Sequence, residues 1–303
     1  MSKKKIAISI GDINGIGIEL ALRSHESVKA LCDPIYCINK KLLQRASELL
    51  EIPIPSDFAL YETYKDFKIK PGKISKKSGF FSYQSFLDAI NLVMHKEADG
   101  VCTLPINKES WKKAGIDYVG HTDMLRDIFK QDAIMMLGCE KMYVALFTEH
   151  IPLKKVAKQI KTESLYRFFD NFYKSETPQK VAVLGLNPHA GDNGVLGDEE
   201  KKITKAIKKI NTKLNQQIFE GPFVPDTIFT PNARKNFKYF VAMYHDQGLA
   251  PLKALYFEEG INVSLGLPIK RTSVDHGTAF DIAYKQSELV SSVSYLNAIK
   301  KLL

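Results

Sequence analysis

Histidine changes most readily between acid, base and metal ligand near neutral pH, and seven are spread along this 303-residue chain. Five of them sit where a strand-like run gives way to a polar or glycine-rich turn. They are Gly120-His121-Thr122-Asp123, Thr148-Glu149-His150-Ile151-Pro152, Asn187-Pro188-His189-Ala190-Gly191-Asp192, Tyr244-His245-Asp246-Gln247-Gly248 and Asp275-His276-Gly277-Thr278. In an open α/β sheet, ligands bind outside the carboxyl ends of the strands, so histidines gathered at such ends are placed for chemistry. The remaining two, His25 and His95, fall in helix-like stretches without polar company and are expected at the surface or its boundary, outside any catalytic role.

His150, His189 and His245 each close a strongly apolar run, and their separations of 39 and 56 residues match no compact zinc-finger spacing. Any site they share is therefore assembled by the fold. Each could be a histidine satisfied by a loop carbonyl. Together, three imidazoles with open positions suit a catalytic Zn²⁺, Co²⁺ or another divalent ion whose shell a substrate oxygen completes. Lys253, Asn262 and Arg271 follow closely after His245, and a lysine point charge with an arginine fork suits a phosphate or carboxylate. Surface cations are the other reading of Lys253 and Arg271.

The elements that must carry these residues alternate. Residues 6–10 read as a strand, followed by the turn Gly11-Asp12-Ile13-Asn14-Gly15-Ile16-Gly17 and a helix from near Ile18. That turn has the spacing G-x-x-x-G-x-G, not the dinucleotide fingerprint G-x-G-x-x-G, so no Rossmann assignment follows. It is expected to line a cleft with its backbone N–H groups. Apolar residues recurring at three and four predict helices over 41–50 and 82–96, with a buried strand over 101–104. Further strands are predicted over 133–137, 142–148, 180–186, 239–244 and 261–265, with helices starting near Thr162, as an N-cap, and Asp198. The alternation implies an α/β fold on a largely parallel sheet covered on both faces. Two domains are expected: residues 1–115 with 279–303, and an inserted 116–278 that carries most metal and substrate residues.

Bulk composition excludes several classes. A net charge of +9 invites a nucleic-acid reading, but only six of the 43 basic residues are arginines and the lysines lie in helical runs without a binding motif. They read as solvated faces that also attract anionic substrates. No nucleic-acid partner is expected. The apolar runs are too short for a membrane span, and the basic start, Met1 to Lys5, leads straight into a strand, not a signal region. A cytoplasmic protein is expected. Cys32, Cys37, Cys102 and Cys139 form no C-x-x-C pair and are expected as buried free thiols.

Six segments in order resemble the 4-hydroxythreonine-4-phosphate dehydrogenase family of pyridoxal-phosphate biosynthesis. They are Gly120-His121-Thr122-Asp123, Asn187-Pro188-His189-Ala190-Gly191, Asp226-Thr227, Tyr244-His245-Asp246-Gln247-Gly248, Gly260-Ile261-Asn262, and Arg271 through Ala279. The resemblance runs from Ile6 to about Ala283. It implies an isocitrate/isopropylmalate dehydrogenase-like fold of two α/β domains with a cleft, and a homodimer whose active site lies at the subunit interface. It further implies NAD or NADP as cosubstrate and a divalent cation (Zn, Mg or Co) on His150, His189 and His245. His121, Thr122, Lys253, Asn262 and Arg271 would contact substrate, and His121, Lys253 or Asp226 would handle the proton.

The activity so implied is oxidation of 4-phosphohydroxy-L-threonine to a β-keto acid that decarboxylates to 3-amino-2-oxopropyl phosphate. The alternatives are a paralogue acting on phosphothreonate or phosphoerythronate, and a metal-dependent hydrolase. Two departures stand out. The opening turn has Ile13-Asn14 where the family commonly has Pro-Ala, and the tail from Phe280 to Ser287 lacks the family's small-residue turn.

Overall fold

The computed structural model describes residues 3–285 and 290–303; Met1 and Ser2 of the basic start, and Gln286 and Ser287 of the tail, lie outside it. In chain order the first stretch holds β1 (Lys5–Ser9), α1 (Gly17–Arg23), α2 (His25–Leu31), β2 (Asp33–Cys37), α3 (Lys40–Leu50), β3 (Leu60–Tyr61), α4 (Lys76–Met94), β4 (Gly100–Thr103), α5 (Lys108–Lys113) and α6 (His121–Phe129). The middle holds β5 (Ile134–Cys139), β6 (Met142–Leu146), α7 (Val156–Gln159), α8 (Thr162–Glu176), β7 (Val181–Leu184), α9 (Glu199–Leu214), β8 (Phe219–Phe223), α10 (Pro231–Arg234), β9 (Tyr239–Ala242) and α11 (His245–Tyr256). The last stretch adds β10 (Ile261–Leu265), β11 (Arg271–Val274) and α12 (Val293–Leu302). The expected α/β class is what the chain adopts. No helix among the described residues is long and apolar enough to cross a membrane.

The chain divides into two compact units: Met1–Gln131 with Ile261–Val263 and Leu267–Leu303, and Asp132–Gly260 with Ser264–Gly266. Residues 116–131, 261–263 and 267–278, expected in the second domain, lie in the first unit. The reason is pairing: β11 runs parallel to β4, with Thr272 opposite Cys102. In the first unit the strand order is β3-β2-β1-β4-β11, parallel throughout. Its core brings Phe86, Ala89, Val101, Trp111, Met124 and Leu125 together. α12 closes this unit: Tyr295, Ala298 and Ile299 are fully buried, and Thr272 Oγ1 donates to Ala298 O at 2.8 Å.

In the second unit the order is β5-β6-β9-β7-β8, antiparallel between β5 and β6 and parallel elsewhere. α11 lies on this sheet through Gly248, where a Cβ would stand 2.4 Å from Val144 Cγ1 and 2.8 Å from Ala242 Cβ. The glycine of Tyr244-His245-Asp246-Gln247-Gly248 is thus a packing requirement. Thr162 is the first helical residue of α8 and not its N-cap; its hydroxyl donates to Lys202 O at 3.4 Å. α4 begins at Lys76, six residues before the expected start, because the Ser75 hydroxyl caps Ser78 N at 3.1 Å.

Two expectations are corrected. His25 is not at the surface: it is buried, with Nδ1 at 3.0 Å from Tyr36 Oη and Nε2 at 3.0 Å from Asp57 Oδ1. Its partners come from 11 and 32 residues away, so local context could not supply them. The turn after β1 is also buried, and four of its N–H groups are spent inside the protein. Asp12 N donates to Pro105 O, Asn14 N to Asp12 Oδ1, Gly15 N to Asp12 O, and Ile16 N to Thr278 O. The four cysteines are free and buried, as expected.

Asn14, a departure from the family's usual turn, has a definite task. Its Oδ1 accepts from Lys70 N at 2.9 Å, its Nδ2 donates to Lys73 O at 2.7 Å, and its carbonyl accepts from Gly72 N at 2.8 Å. One fully buried side chain therefore fastens residues 70–73 to the turn. Asn14→Ala is expected to cost about 2 kcal/mol by leaving Lys70 N and Lys73 O without their partner. A lower urea midpoint at unchanged m would show it; an unmoved midpoint would refute the fastening role.

Candidate metal and substrate site

Three adjacent parallel strands end together in the second unit. Leu146 of β6 is level with Ala242 of β9, and Val183 of β7 with Val241. Their C-terminal ends lead to His150, His189 and His245 respectively for β6, β7 and β9. β9 lies between two strands that precede it in the chain, so this edge is a topological switch point, where open α/β sheets bind ligands. His150 and His245 are brought face to face, ring centroids 5.5 Å apart with planes tilted by 42°. His245 opens α11, and its Nδ1 is 2.7 Å from Asp246 Oδ1. With Nδ1 so engaged, Nε2 is the nitrogen left to meet a ligand, an arrangement common in metal-bound histidine.

His189 sits on a seven-residue segment, Pro188–Gly194, in which His189, Ala190, Gly191, Asp192 and Asn193 all have positive φ, between 43° and 80°. Gly191 is required there: a Cβ would meet Glu200 Oε2 at 2.6 Å. Among the described residues, the one group of three or more His, Cys, Asp or Glu with ligand atoms all within 4.8 Å of one another is His25, Glu26 and Asp57. The structure therefore brings His150 to His245 and carries His189 on the neighbouring strand end, without drawing the trio into a closed cage. His150 and His189 are exposed and His245 is part-buried. That donor set of accessible imidazoles fits an open catalytic site better than a closed structural one.

Asp226 is exposed on the turn after β8, the strand beside β7. Lys253 lies on α11, part-buried, its Nζ 5.9 Å from the centre of the Phe257 ring.

The first unit holds the other predicted residues. His121 does not follow a strand; it is the first residue of α6, after the Gly120 N-cap. Its ring packs edge-on against Phe86 at 4.6 Å and Trp111 at 5.8 Å, and Nε2 is buried without a hydrogen-bond partner. Burial, and next the positive charge of Arg271, hold its pKa well below the ordinary value of 6.5. It is a neutral imidazole. Arg271 is no surface cation: it is 2% exposed, and its guanidinium donates to Thr103 Oγ1 at 2.7 Å. Burial lowers its pKa to about 10, which leaves it charged at neutral pH. Thr122 is buried beside His121, and Asn262 on β10 keeps a buried Oδ1 without a hydrogen-bond partner. A buried acceptor in that state is costly unless a ligand donor meets it. His276, the fifth histidine, bonds Gly277 O through Nδ1 at 3.1 Å, and burial lowers its pKa.

Three side chains at the second unit's strand ends went unnoticed in the sequence. Thr148 Oγ1 donates to Met243 O at 2.7 Å. Gln247 Oε1 accepts from Met243 N and its Nε2 donates to Gly185 O, both at 2.7 Å. Glu200 Oε1 accepts from Leu186 N at 2.9 Å and Asn187 N at 2.8 Å.

Residues 30–302 match the family model described as pyridoxal phosphate biosynthetic protein PdxA. A 4-hydroxythreonine-4-phosphate dehydrogenase of Sulfurimonas denitrificans is 61% identical over 300 residues, 99% of this chain and 97% of that protein. One of the same name from Campylobacter fetus is 56% identical over 301 residues, again 99% and 97%. The solved structure of a 4-hydroxythreonine-4-phosphate dehydrogenase from Klebsiella pneumoniae superposes with a TM-score of 0.84 at 30% identity, covering 99% of this chain and 98% of that one.

The state of His121 is testable through pH. A histidine neutral in the fold and protonatable in the unfolded chain makes the unfolded state bind more protons, so stability rises with pH. Its contribution is lost as pH falls below about 6.5 toward the depressed folded pKa. His121→Gln is expected to flatten the stability profile below pH 6.5 relative to the parent. Parallel profiles would show that His121 titrates normally in the fold.

Proposed function

The chain belongs to the PdxA family of pyridoxal phosphate biosynthetic proteins, and we propose on that footing that it is a 4-hydroxythreonine-4-phosphate dehydrogenase. The reaction is NAD- or NADP-dependent oxidation of 4-phosphohydroxy-L-threonine. Its β-keto acid product loses CO₂ to leave 3-amino-2-oxopropyl phosphate. What carries the reading is the convergence of three histidine-bearing strand ends in a chain matching enzymes of that name along nearly all its length. When bound, the divalent cation (Zn, Mg or Co) polarises the substrate hydroxyl and the nicotinamide accepts hydride.

In this reading, His150, His189 and His245 hold the cation, with Asp246 orienting the His245 ring through Nδ1. The buried charge of Arg271 and the ammonium of Lys253 suit the substrate's anionic groups. The unmatched Asn262 Oδ1 suits a substrate donor, and His121 with Thr122 lines the same reading's substrate contacts. The proton leaving the hydroxyl goes to His121, Lys253 or Asp226. Neutral His121 has the acceptor capacity this needs.

The enzyme is further proposed to work as a homodimer in the cytoplasm. Leu153, Val195 and Phe257 of the second unit are 68%, 78% and 72% exposed, apolar area that a second copy would cover.

His189→Ala and His245→Ala are each expected to abolish stoichiometric metal and to lower NADH or NADPH formation by about 100-fold or more. Metal analysis beside a steady-state assay with 4-phosphohydroxy-L-threonine, phosphothreonate and phosphoerythronate reads this. Full turnover by chelator-stripped enzyme would refute the metal role, and turnover of only the two acids would refute the substrate.

A further inference from the structure

Three histidines on three strands can act on one cation only if the strand ends keep a fixed spacing. The strands end at Leu146, Leu184 and Ala242, and backbone bonds carry on only through Phe147 N to Ala242 O, Thr148 N to Met243 O and Gly185 N to Phe223 O, still short of His150, His189 and His245. Between the β9 and β7 exits, side-chain contacts take over. Gln247, in the same motif as His245, is 8% exposed and lies two residues past it. Its amide accepts from Met243 N, on the approach to His245, and donates to Gly185 O, the first residue past β7 on the approach to His189. One side chain therefore ties the β9 exit to the β7 exit.

Glu200 continues the connection. It is 7% exposed, and its Oε1 takes both N–H groups, Leu186 and Asn187, that precede the left-handed turn. Its Oε2 accepts from Asn187 Nδ2 at 3.0 Å and packs against Gly191 inside that turn. Five successive left-handed residues, four of them not glycine, are unfavourable and persist only where their surroundings over-determine them. Glu200 supplies that constraint.

We infer that Gln247 and Glu200 are positioning residues for the metal site: they set the distance between the His245 and His189 strand ends without touching the cation. The inference rests on the proposal that these histidines hold the metal. Oriented outer partners of this kind typically govern metal affinity by about 10- to 100-fold.

The test uses the full-length protein and Co²⁺, read by competition against a chromogenic chelator, by the visible Co²⁺ spectrum, and by the melting temperature of metal-free protein. Gln247→Leu keeps the volume and removes both hydrogen bonds. It is expected to weaken Co²⁺ binding 10- to 100-fold and to shift the spectrum. Glu200→Gln keeps an acceptor for Leu186 N and Asn187 N and is expected to bind within a few-fold of the parent. Glu200→Ala should fall with Gln247→Leu. Should Gln247→Leu fail to fold, Gln247→Glu, which keeps the bond from Met243 N and repels Gly185 O, must show the same weakening. A lowered melting temperature with parental affinity and spectrum would make both residues merely structural and overturn the inference. His245→Ala separates the two failures. If it abolishes Co²⁺ binding while Gln247→Leu does not, the positioning role alone is lost; if it too binds normally, the metal assignment falls first.

Discussion

The parallel pairing of β6, β9 and β7 is the constraint on which the second unit's chemistry depends. Parallel strands all point the same way, so their carboxyl ends collect along one edge, and insertion of β9 between its two predecessors opens a gap there. Backbone pairing runs on only a residue or two past the strands, and side chains join it there. Thr148, Gln247 and Glu200 bond backbone groups at these exits. The same bonds that satisfy the backbone therefore aim the segments that bear the histidines. Structure and placement are one set of interactions here.

The first unit works with a different currency of control, which is desolvation. Arg271 keeps its charge in a buried setting beside Thr103, and that charge together with burial keeps His121 neutral. A cation held away from water acts over longer range than a solvated one, because less dielectric screening stands between it and its target. The pair thus places a charged group and a neutral imidazole in one buried setting.

Much of this was readable in the residues. Long periodic segments such as α3, and the β5, β6, β9 and β10 strands, follow hydrophobic spacing closely enough to be placed within a few positions. β8 was not, because Gly221-Pro222 interrupts it, and such a pair normally argues against a strand. β11 reads Arg-Thr-Ser-Val, whose polarity gives no strand signal, yet it is a strand buried along its length. The histidines stood out because their type and turn context are unusual. Glu200 did not: beside Asp198 and Glu199 it looks like an acid suited to a helix N-terminus, and only the fold turns it back toward Asn187. Gln247 was hidden for a similar reason, since both its partners are backbone atoms, which leave no mark on side-chain sequence.

The first unit is built from two ends of the chain. β4 and β11 pair across a sequence gap of about 170 residues, and α12 packs on β11 only after nearly the whole polypeptide exists. The second unit lies almost entirely within 132–260. On a ribosome, where domains fold as they emerge, all strands of its β5-to-β8 run are available while the first unit still lacks its fifth strand. Arg271 is then made late. The buried charge that adds to the effect of burial on His121 arrives only with β11, so the surroundings of His121 are completed at the end of synthesis and not at its start.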